Sequence, residues 1–331
     1  MSRKGPAPPT TGTPLTVAVL SGGASYERAV SLRSGQQVQH ALEELGHEAT
    51  IVDTDASTAA RLGELAPDVV FIALHGAGGE DGAIQELLEA LSIPYTGTGP
   101  GAAATTSDKA IAKRLIAQAG LPTPRFRSLS ARALHDLGAA ALVDRITDEL
   151  GLPLVVKPAV GGSALGVRFA HEPAELPRAI MGALSYHDHV LIEQHVAGVE
   201  LAVTVVGTED PRALPAVEVT PVGDGSYDFD ARYTPGATTL TCPPAELDPA
   251  TLARVGETCI AAYRLLGVRG YGRVDLILDA DGMPQLLEVD TVPGLTPTSL
   301  TPMALSAAGM TLADLVAELL ADALERSAGT R

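Results

Sequence analysis

Lysine is scarce in this chain. After Lys4, only Lys109, Lys113 and Lys157 occur in 331 residues. Lys and Arg together number 23 against 40 Asp and Glu, for a net charge of −17. A surface that tracks nucleic-acid phosphates needs clustered cations, so no nucleic-acid partner is expected. Cysteine is nearly missing as well. Cys242 and Cys259 make neither a disulfide framework nor a zinc site, and their expected role is packing in a reducing cytoplasm. No apolar run approaches the roughly 18 residues of a membrane helix, so no membrane partner is expected. Residues 1–14 lack the apolar segment of a secretory signal and read as a disordered lead-in. The motifs GxSxG, HExxH and CxxC do not occur, which disfavours serine hydrolases, zinc peptidases and thiol redox enzymes.

What is present suits an α/β protein of two or three domains. Leu15–Leu20 reads as a short buried strand, followed by Ser21-Gly22-Gly23 and a helix from about Glu27 to Leu45. Ala49–Asp53 is the next strand, completing a βαβ unit. Asp53 stands where a dinucleotide fold would place its ribose ligand, but Gly22-Gly23 does not match GxGxxG. Glu27, near the helix start, either serves the helix dipole or faces a ligand's ammonium group. The strand Asp68–Leu74 runs into His75-Gly76 and a loop with four glycines through Gly82, where backbone can approach a ligand. His75 at that strand end is a candidate substrate contact.

Ser107-Asp108-Lys109 opens a helix running to about Ala119, and a mostly helical stretch follows to Leu150. Leu154–Pro158 is a strand carrying Lys157, and Ala159–Val167 is a glycine-rich loop. Such loops turn backbone N–H groups toward phosphates. Here the lysine precedes the glycines, so the loop is not a P-loop. Val190–Val196 and Leu201–Val206 are strands. Pro221–Pro244 is long and turn-rich, with Tyr227, Phe229 and Tyr233, and reads as an active-site cover. Leu247–Leu266 and about Thr311–Leu324 are helices.

The most informative stretch is Arg273–Asp290. Two apolar runs flank Asp281-Gly282, a strong hairpin signal. A turn centred there sets Asp275 opposite Glu288 and Arg273 opposite Asp290, all four on one face. Val274, Leu276, Leu287 and Val289 then point into a core. Like charges directly opposite each other destabilise a strand pair. Either the acids hold a hard divalent cation with phosphates, or they form a solvated face that Arg273 offsets. A Pro293-Gly294 turn follows directly, fixing the backbone close to the acidic strand end.

Taken in order, these pieces resemble the D-alanine–D-alanine ligases of the ATP-grasp superfamily. The matching residues are Ser21-Gly22-Gly23 with Glu27-Arg28, His75-Gly76 through Gly82, Tyr95-Thr96-Gly97, Asp108-Lys109, and Val156-Lys157-Pro158 with Gly162-Ser163. They continue with Arg232-Tyr233, Cys242-Pro243, Gly272 through Asp275, and Leu287-Glu288 with Pro293-Gly294. The resemblance implies an α/β (α+β), three-domain ATP-grasp fold with a Rossmann-like first domain. Its parts would be a tail at 1–14, a substrate domain at 15–98, a central lid domain at 99–192 and a catalytic domain at 193–326.

It further implies ATP-dependent formation of D-alanyl-D-alanine for peptidoglycan, by a cytoplasmic homodimer, with a paralogous ATP-grasp ligase that joins other amino acids in a specialised pathway as the alternative. Lys109 and Lys157 would contact phosphates beside Gly162 and Ser163, while Glu193 and Glu200 would hold adenine and ribose. Asp275, Glu288 and Asp290 would bind two Mg²⁺ ions, with Mn²⁺ as a substitute. Glu27 would take the first amino acid's ammonium group, and His75 would lie near its carboxylate. Ser163 and Tyr233 would complete that network, and Arg273 would face the oxyanion. Gly294, Ser299 and the Leu300 backbone would hold the second amino acid. Several positions depart from the family pattern. Asp290 replaces an asparagine, Ala164 a serine and Arg232 a lysine. Gly161 lacks a usual side chain, and His195 stands where an apolar or aromatic residue is usual.

Overall fold

The computed structural model describes residues 13–222 and 236–329. Its first sheet grows from the apolar run at the start of the chain. Strand β1 (Thr16–Ser21) pairs in parallel with β2 (Glu48–Asp53) on one side and β3 (Val69–Ile72) on the other. Parallel strands are buried on both faces, which is why they read as unbroken apolar runs. Between them lie α1 (Arg28–Glu44) and α2 (Thr58–Leu65). One face of the sheet, with Ala18, Leu20, Val70 and Ile72, packs on α2 and α3 (Ala83–Ala90). The other face, with Val17, Val19 and Phe71, packs on α1 and on a helix from the far end of the chain.

Helices α4 (Pro100–Ser107) and α5 (Lys109–Gln118) follow. The Asp108 carboxylate caps α5, accepting from the backbone N–H of Ala110 at 2.9 Å and of Ile111 at 3.1 Å. The sequence pattern gives no sign of α4, whose residues do not alternate between apolar and polar at helical spacing. Although both helices precede the central sheet, Ala112 and Ile116 of α5 share a core with the C-terminal sheet.

The central sheet is antiparallel. It contains β4 (Phe126–Ser130), β5 (Leu154–Pro158), β6 (Arg168–Ala170) and β7 (His189–Gln194), in the order β4-β7-β5-β6. Helices α6 (Ala131–His135), α7 (Val143–Leu150) and α8 (Leu176–Leu184) accompany it. Its core is its own, formed by Leu154, Val156, Leu176, Ile180, Val190 and Ile192 among others. Strand β4 lies inside the stretch read from sequence as mostly helical; its Arg and Ser residues mask the strand pattern.

The C-terminal sheet contains β8 (Gly198–Val206), β9 (Arg212–Ala213), β10 (Val217–Pro221), β11 (Thr238–Thr241), β12 (Tyr271–Asp279) and β13 (Pro284–Asp290). The path is β11-β10-β8-β12-β13, with β9 on β8. Helix α9 (Pro249–Leu265) covers it through Val255, Cys259, Ala262 and Tyr263. Then α10 (Leu300–Ala307) and α11 (Leu312–Gly329) return to the first sheet, where Leu315, Val316, Leu319 and Leu320 complete the core under β1 and β3. No single helix among the described residues is long and apolar enough to cross a membrane.

The β12–β13 hairpin shows one correction. Arg273 pairs with Asp290 and Asp275 with Glu288, as the turn signal predicts. Beyond that point the register shifts by one, so that Leu276 faces Leu286 and Ile277 faces Gln285. The turn is one residue longer than expected, and a bulge at Leu287 absorbs the difference. Leu286, not Leu287, therefore enters the core. Leu287 is turned to the opposite side, where it lines a cavity with Ile277.

Candidate active site

Two cavities lie along the acidic hairpin. The first, of about 710 Å³, opens between the first sheet's carboxyl edge and the C-terminal body. Glu27, His75, Ser163, Arg273, Asp290, Gly294, Ser299 and Leu300 all line it. The second, of about 520 Å³, lies between the central and C-terminal sheets. Lys157, Glu193, Glu200 and Asp275 line that one. Lys109, Gly161, Gly162 and Glu288 border both, so the two spaces share a wall. Tyr233 and Arg232 lie outside the described residues.

Glu27 is set by the loop between β1 and α1. Arg28 clamps Asp53 with two hydrogen bonds, of 2.7 and 2.6 Å, and also donates to the Gly23 carbonyl at 2.9 Å. The Asp53 carboxylate accepts from Gly23 N–H at 3.2 Å. Asp53 thus anchors this loop, a use unlike that of a ribose ligand. Ser163 donates to Glu27 Oε1 at 2.5 Å, tying the central glycine loop to the first domain across 136 residues of sequence. A Cβ on Gly76, whose φ is +72°, would stand 2.5 Å from Glu27 Oε2. Only glycine suits both that backbone and that approach.

The same loop holds two non-glycine residues in left-handed conformation, Ser163 at φ +54° and Ala164 at φ +56°. Each costs on the order of 1 kcal/mol relative to ordinary backbone. Leu165 N–H to Gly162 O, at 3.1 Å, and Val167 N–H to Ala164 O, at 3.2 Å, fold the loop into consecutive turns over the shared wall.

His75 is almost wholly buried, and both ring nitrogens are engaged. Nδ1 lies 2.7 Å from the Val292 carbonyl and Nε2 2.8 Å from Ser34 Oγ. A carbonyl only accepts, so Nδ1 carries the proton and Nε2 accepts from the Ser34 hydroxyl. Burial holds the imidazole below its ordinary pKa. The neutral ring therefore joins the first domain to the turn after β13. Ser34 Oγ also accepts from Leu295 N–H at 3.1 Å, fixing the approach to Gly294.

On the hairpin, Arg273 makes a forked pair with Asp275, at 2.8 Å through both Nε and a terminal nitrogen. Its other terminal nitrogen lies 3.2 Å from Asp290. Lys109 lies 3.3 Å from Glu288 and also donates to the Gly161 carbonyl. Each of the three acids has a cation beside it, Arg273 or Lys109, and Asp275 is buried, so this face is enclosed and ion-paired rather than solvated. Their donors are hard oxygens only, which suits Mg²⁺. Among the described residues no three acidic, histidine or cysteine side chains converge to cage an ion by themselves. A metal here needs ligands from elsewhere, and a nucleotide's phosphates are suitable ones.

In the second cavity Glu193 lies deep. Its two oxygens are each 2.6 Å from a lysine, Lys113 on one side and Lys157 on the other. Burial pushes the Lys113 ammonium down to about 8, against the opposing pull of Glu193. Ser299 occupies the N-cap position of α10 without a side-chain capping bond, its hydroxyl lying 2.8 Å from that of Thr296, and this helix N-terminus borders the first cavity.

Three residues escaped the sequence reading. Glu80 lines the first cavity and accepts from Gly76 N–H at 2.8 Å. Burial, with Asp290 and Glu27 nearby, raises its carboxyl well above the ordinary range. Its signal was its place in the Gly79-Glu80-Asp81-Gly82 run. Leu287 was read as core because a bulge leaves no mark on alternation. Lys113 was marked only by the rarity of lysine.

With this geometry in hand, comparison with known proteins is decisive. Residues 115–321 match the family model described as D-ala D-ala ligase C-terminus, and residues 54–98 the corresponding N-terminus. The chain belongs to the D-alanine–D-alanine ligase family. It is 44% identical to a D-alanine–D-alanine ligase of Moorella thermoacetica, over 94% of this chain and all of that protein. A D-alanine–D-alanine ligase structure from Bacillus anthracis superposes with a TM-score of 0.82 at 30% identity, covering 96% of this chain and 100% of that one. The same enzyme complexed with ATP gives 0.78 at 28% identity, covering 95% and 99%. The fold is therefore the ATP-grasp fold expected from the ordered motifs.

Proposed function

We propose that this chain joins two D-alanines at the expense of ATP, through an acyl phosphate, to give D-alanyl-D-alanine for peptidoglycan precursors. The observation that carries the reading is the common wall of the two cavities. Nucleotide in one and amino acids in the other would meet at Lys109, Gly161, Gly162 and Glu288.

In the first step a carboxylate oxygen of the first amino acid forms a bond to the γ-phosphorus, and ADP leaves. Glu27, held by Ser163, fits that amino acid's ammonium group as a fixed counter-charge. Lys109 and Lys157 would offset the phosphates, because phosphoryl transfer depends on positioning and charge neutralisation. Glu200 would serve the ribose from the cavity wall, whereas Glu193, expected beside adenine, has both oxygens on lysines and acts there as their counter-charge. Asp275, Glu288 and Asp290 would hold Mg²⁺, or Mn²⁺ in its place, which when bound would neutralise charge on the transferring group.

In the second step the other amino acid's amine attacks the carbonyl and loses a proton. The tetrahedral intermediate then collapses, and phosphate departs. Arg273 would face the oxyanion, where such a donor can be worth roughly 3–4 kcal/mol. The N-terminus of α10, with Ser299, the Leu300 N–H and the close-packed Gly294, suits the second carboxylate. His75 acts as a neutral brace beside the substrates. The Ser163 loop, and Tyr233 from the following cover, would keep water from the acyl phosphate.

The test is phosphate release with ATP and magnesium against a panel of D- and L-amino acids. D-alanine should be the preferred substrate, and D-alanyl-D-alanine the product. Release that needs a different amino acid would overturn the substrate assignment, and release with none would overturn the ligase reading. A cytoplasmic homodimer is the assembly we expect, to be checked by sedimentation.

A further inference from the structure

Lys113 has no part in the chemistry above, yet none of its side chain reaches solvent. It stands one helical turn beyond Lys109 on α5, so both lysines share a face. Its ammonium group lies 2.6 Å from Glu193 Oε1 and donates to the Leu286 carbonyl at 3.2 Å. It also sits 5.5 Å from the centre of the Phe126 ring. Leu286 is the residue before the bulge of β13, and its carbonyl accepts in addition from Thr123 Oγ1 at 2.7 Å. One buried cation thus touches strands of the central sheet and of the C-terminal sheet, on either side of the second cavity.

The charges around it set its purpose. Glu193 and Lys157 alone sum to zero at the floor of that cavity. With Lys113 the trio carries one net positive charge. Structural anchoring alone would be met more easily by an apolar side chain, since a buried ion is costly unless another charge requires it.

We propose that Lys113 is a positioning residue for the nucleotide: it neutralises and holds Glu193, so that the charge of Lys157 acts on the phosphates. The proposal rests on the reading that the second cavity takes ATP. Lys113 itself touches neither phosphate nor substrate. Its influence passes through Glu193 and is felt at the charged end of the ligand, not at adenosine.

The experiment is equilibrium binding of ADP with magnesium, and of adenosine, to the full chain. Lys157→Met should weaken ADP by about tenfold or more while leaving adenosine within about threefold. Should that variant keep its ADP affinity, the nucleotide reading of the cavity falls. Lys113→Met should show the same split, about tenfold on ADP and little on adenosine. Glu193→Gln and the double variant Lys113→Met/Glu193→Gln should bind ADP within about threefold of each other, because the charge that Lys113 answers is gone. Unchanged ADP affinity in Lys113→Met, or equal losses for ADP and adenosine, would overturn the proposal. So would a double variant about tenfold weaker than Glu193→Gln. That last comparison decides the matter even if Lys113→Met does not fold.

Discussion

The two cavities are built differently. The first cavity, proposed for the amino acids, is walled by elements that share continuous cores. Val292, just past the hairpin, packs with the first sheet's Leu20 and Ile72, and α11 packs under β1 and β3. The second cavity, proposed for the nucleotide, instead lies between two sheets whose large cores stay separate. Among the described residues, the apolar link from α5 to the central sheet is a small cluster of Ala110, Ala159 and Leu191 with Phe126 beside it. Polar ties supply the rest: Lys109 to Gly161, Lys113 to Glu193, and Thr123 to Leu286. A site within one packed body is preformed, whereas one between two bodies depends on its charges.

The largest expected effect breaks the tie at the common wall. Glu288→Gln should lower kcat by about a thousandfold, as loss of a charge-organising group does in phosphoryl transfer. Circular dichroism should stay unchanged, and adenosine binding should persist. Phosphate-release kinetics check it, and wild-type turnover would remove the metal assignment.

Next comes the bulge, which decides which leucine belongs to the core and which to the cavity. Leu286→Ala should cost about 2–5 kcal/mol in urea unfolding, because Leu286 is fully buried. Leu287→Ala should cost under about 1.5 kcal/mol, since it stands at a cavity wall. An unbulged hairpin would reverse that order.

Ser163→Ala sharpens the contrast from the amino-acid side. Its bond to the Glu27 carboxylate is charge-assisted, so its loss should raise the KM for the first amino acid by about tenfold. The KM for ATP should move far less. Equal shifts in both would mean that the loop acts on the two cavities together.

The smallest effect is a pH slope from His75. Its folded pKa lies below the ordinary value, so the unfolded chain binds more protons as pH falls below about 6.5. Stability should drop in that window, by about 1.4 kcal/mol per pH unit at most. In His75→Asn that part of the slope should vanish in urea titrations at pH 5 and 7.

Much of this was legible in the residues. Apolar runs located β1, β3, β5 and β12, and Asp-Gly located the hairpin turn. The face shared by Arg273, Asp275, Glu288 and Asp290 followed from strand alternation alone. What was missed has physical causes. Strand β4 reads Phe-Arg-Ser-Leu-Ser and is held by pairing with β7, which local pattern does not show. Helix α4 has almost no polar face to signal it. Strand β11 lay within a segment read as loop because its threonines and nearby prolines resemble turn residues. The contacts of Lys113 with Glu193 and Leu286 lie 80 and 173 residues away. No local window contains them.

The return of α11 to the first sheet has a consequence for biosynthesis. Val17, Val19, Val69 and Phe71 find part of their cover in Leu315, Val316, Leu319 and Leu320. A nascent chain halted before Leu312 therefore leaves part of one side of its opening sheet uncovered, the rest being packed on α1. The first sheet to be translated is thus among the last to be sealed.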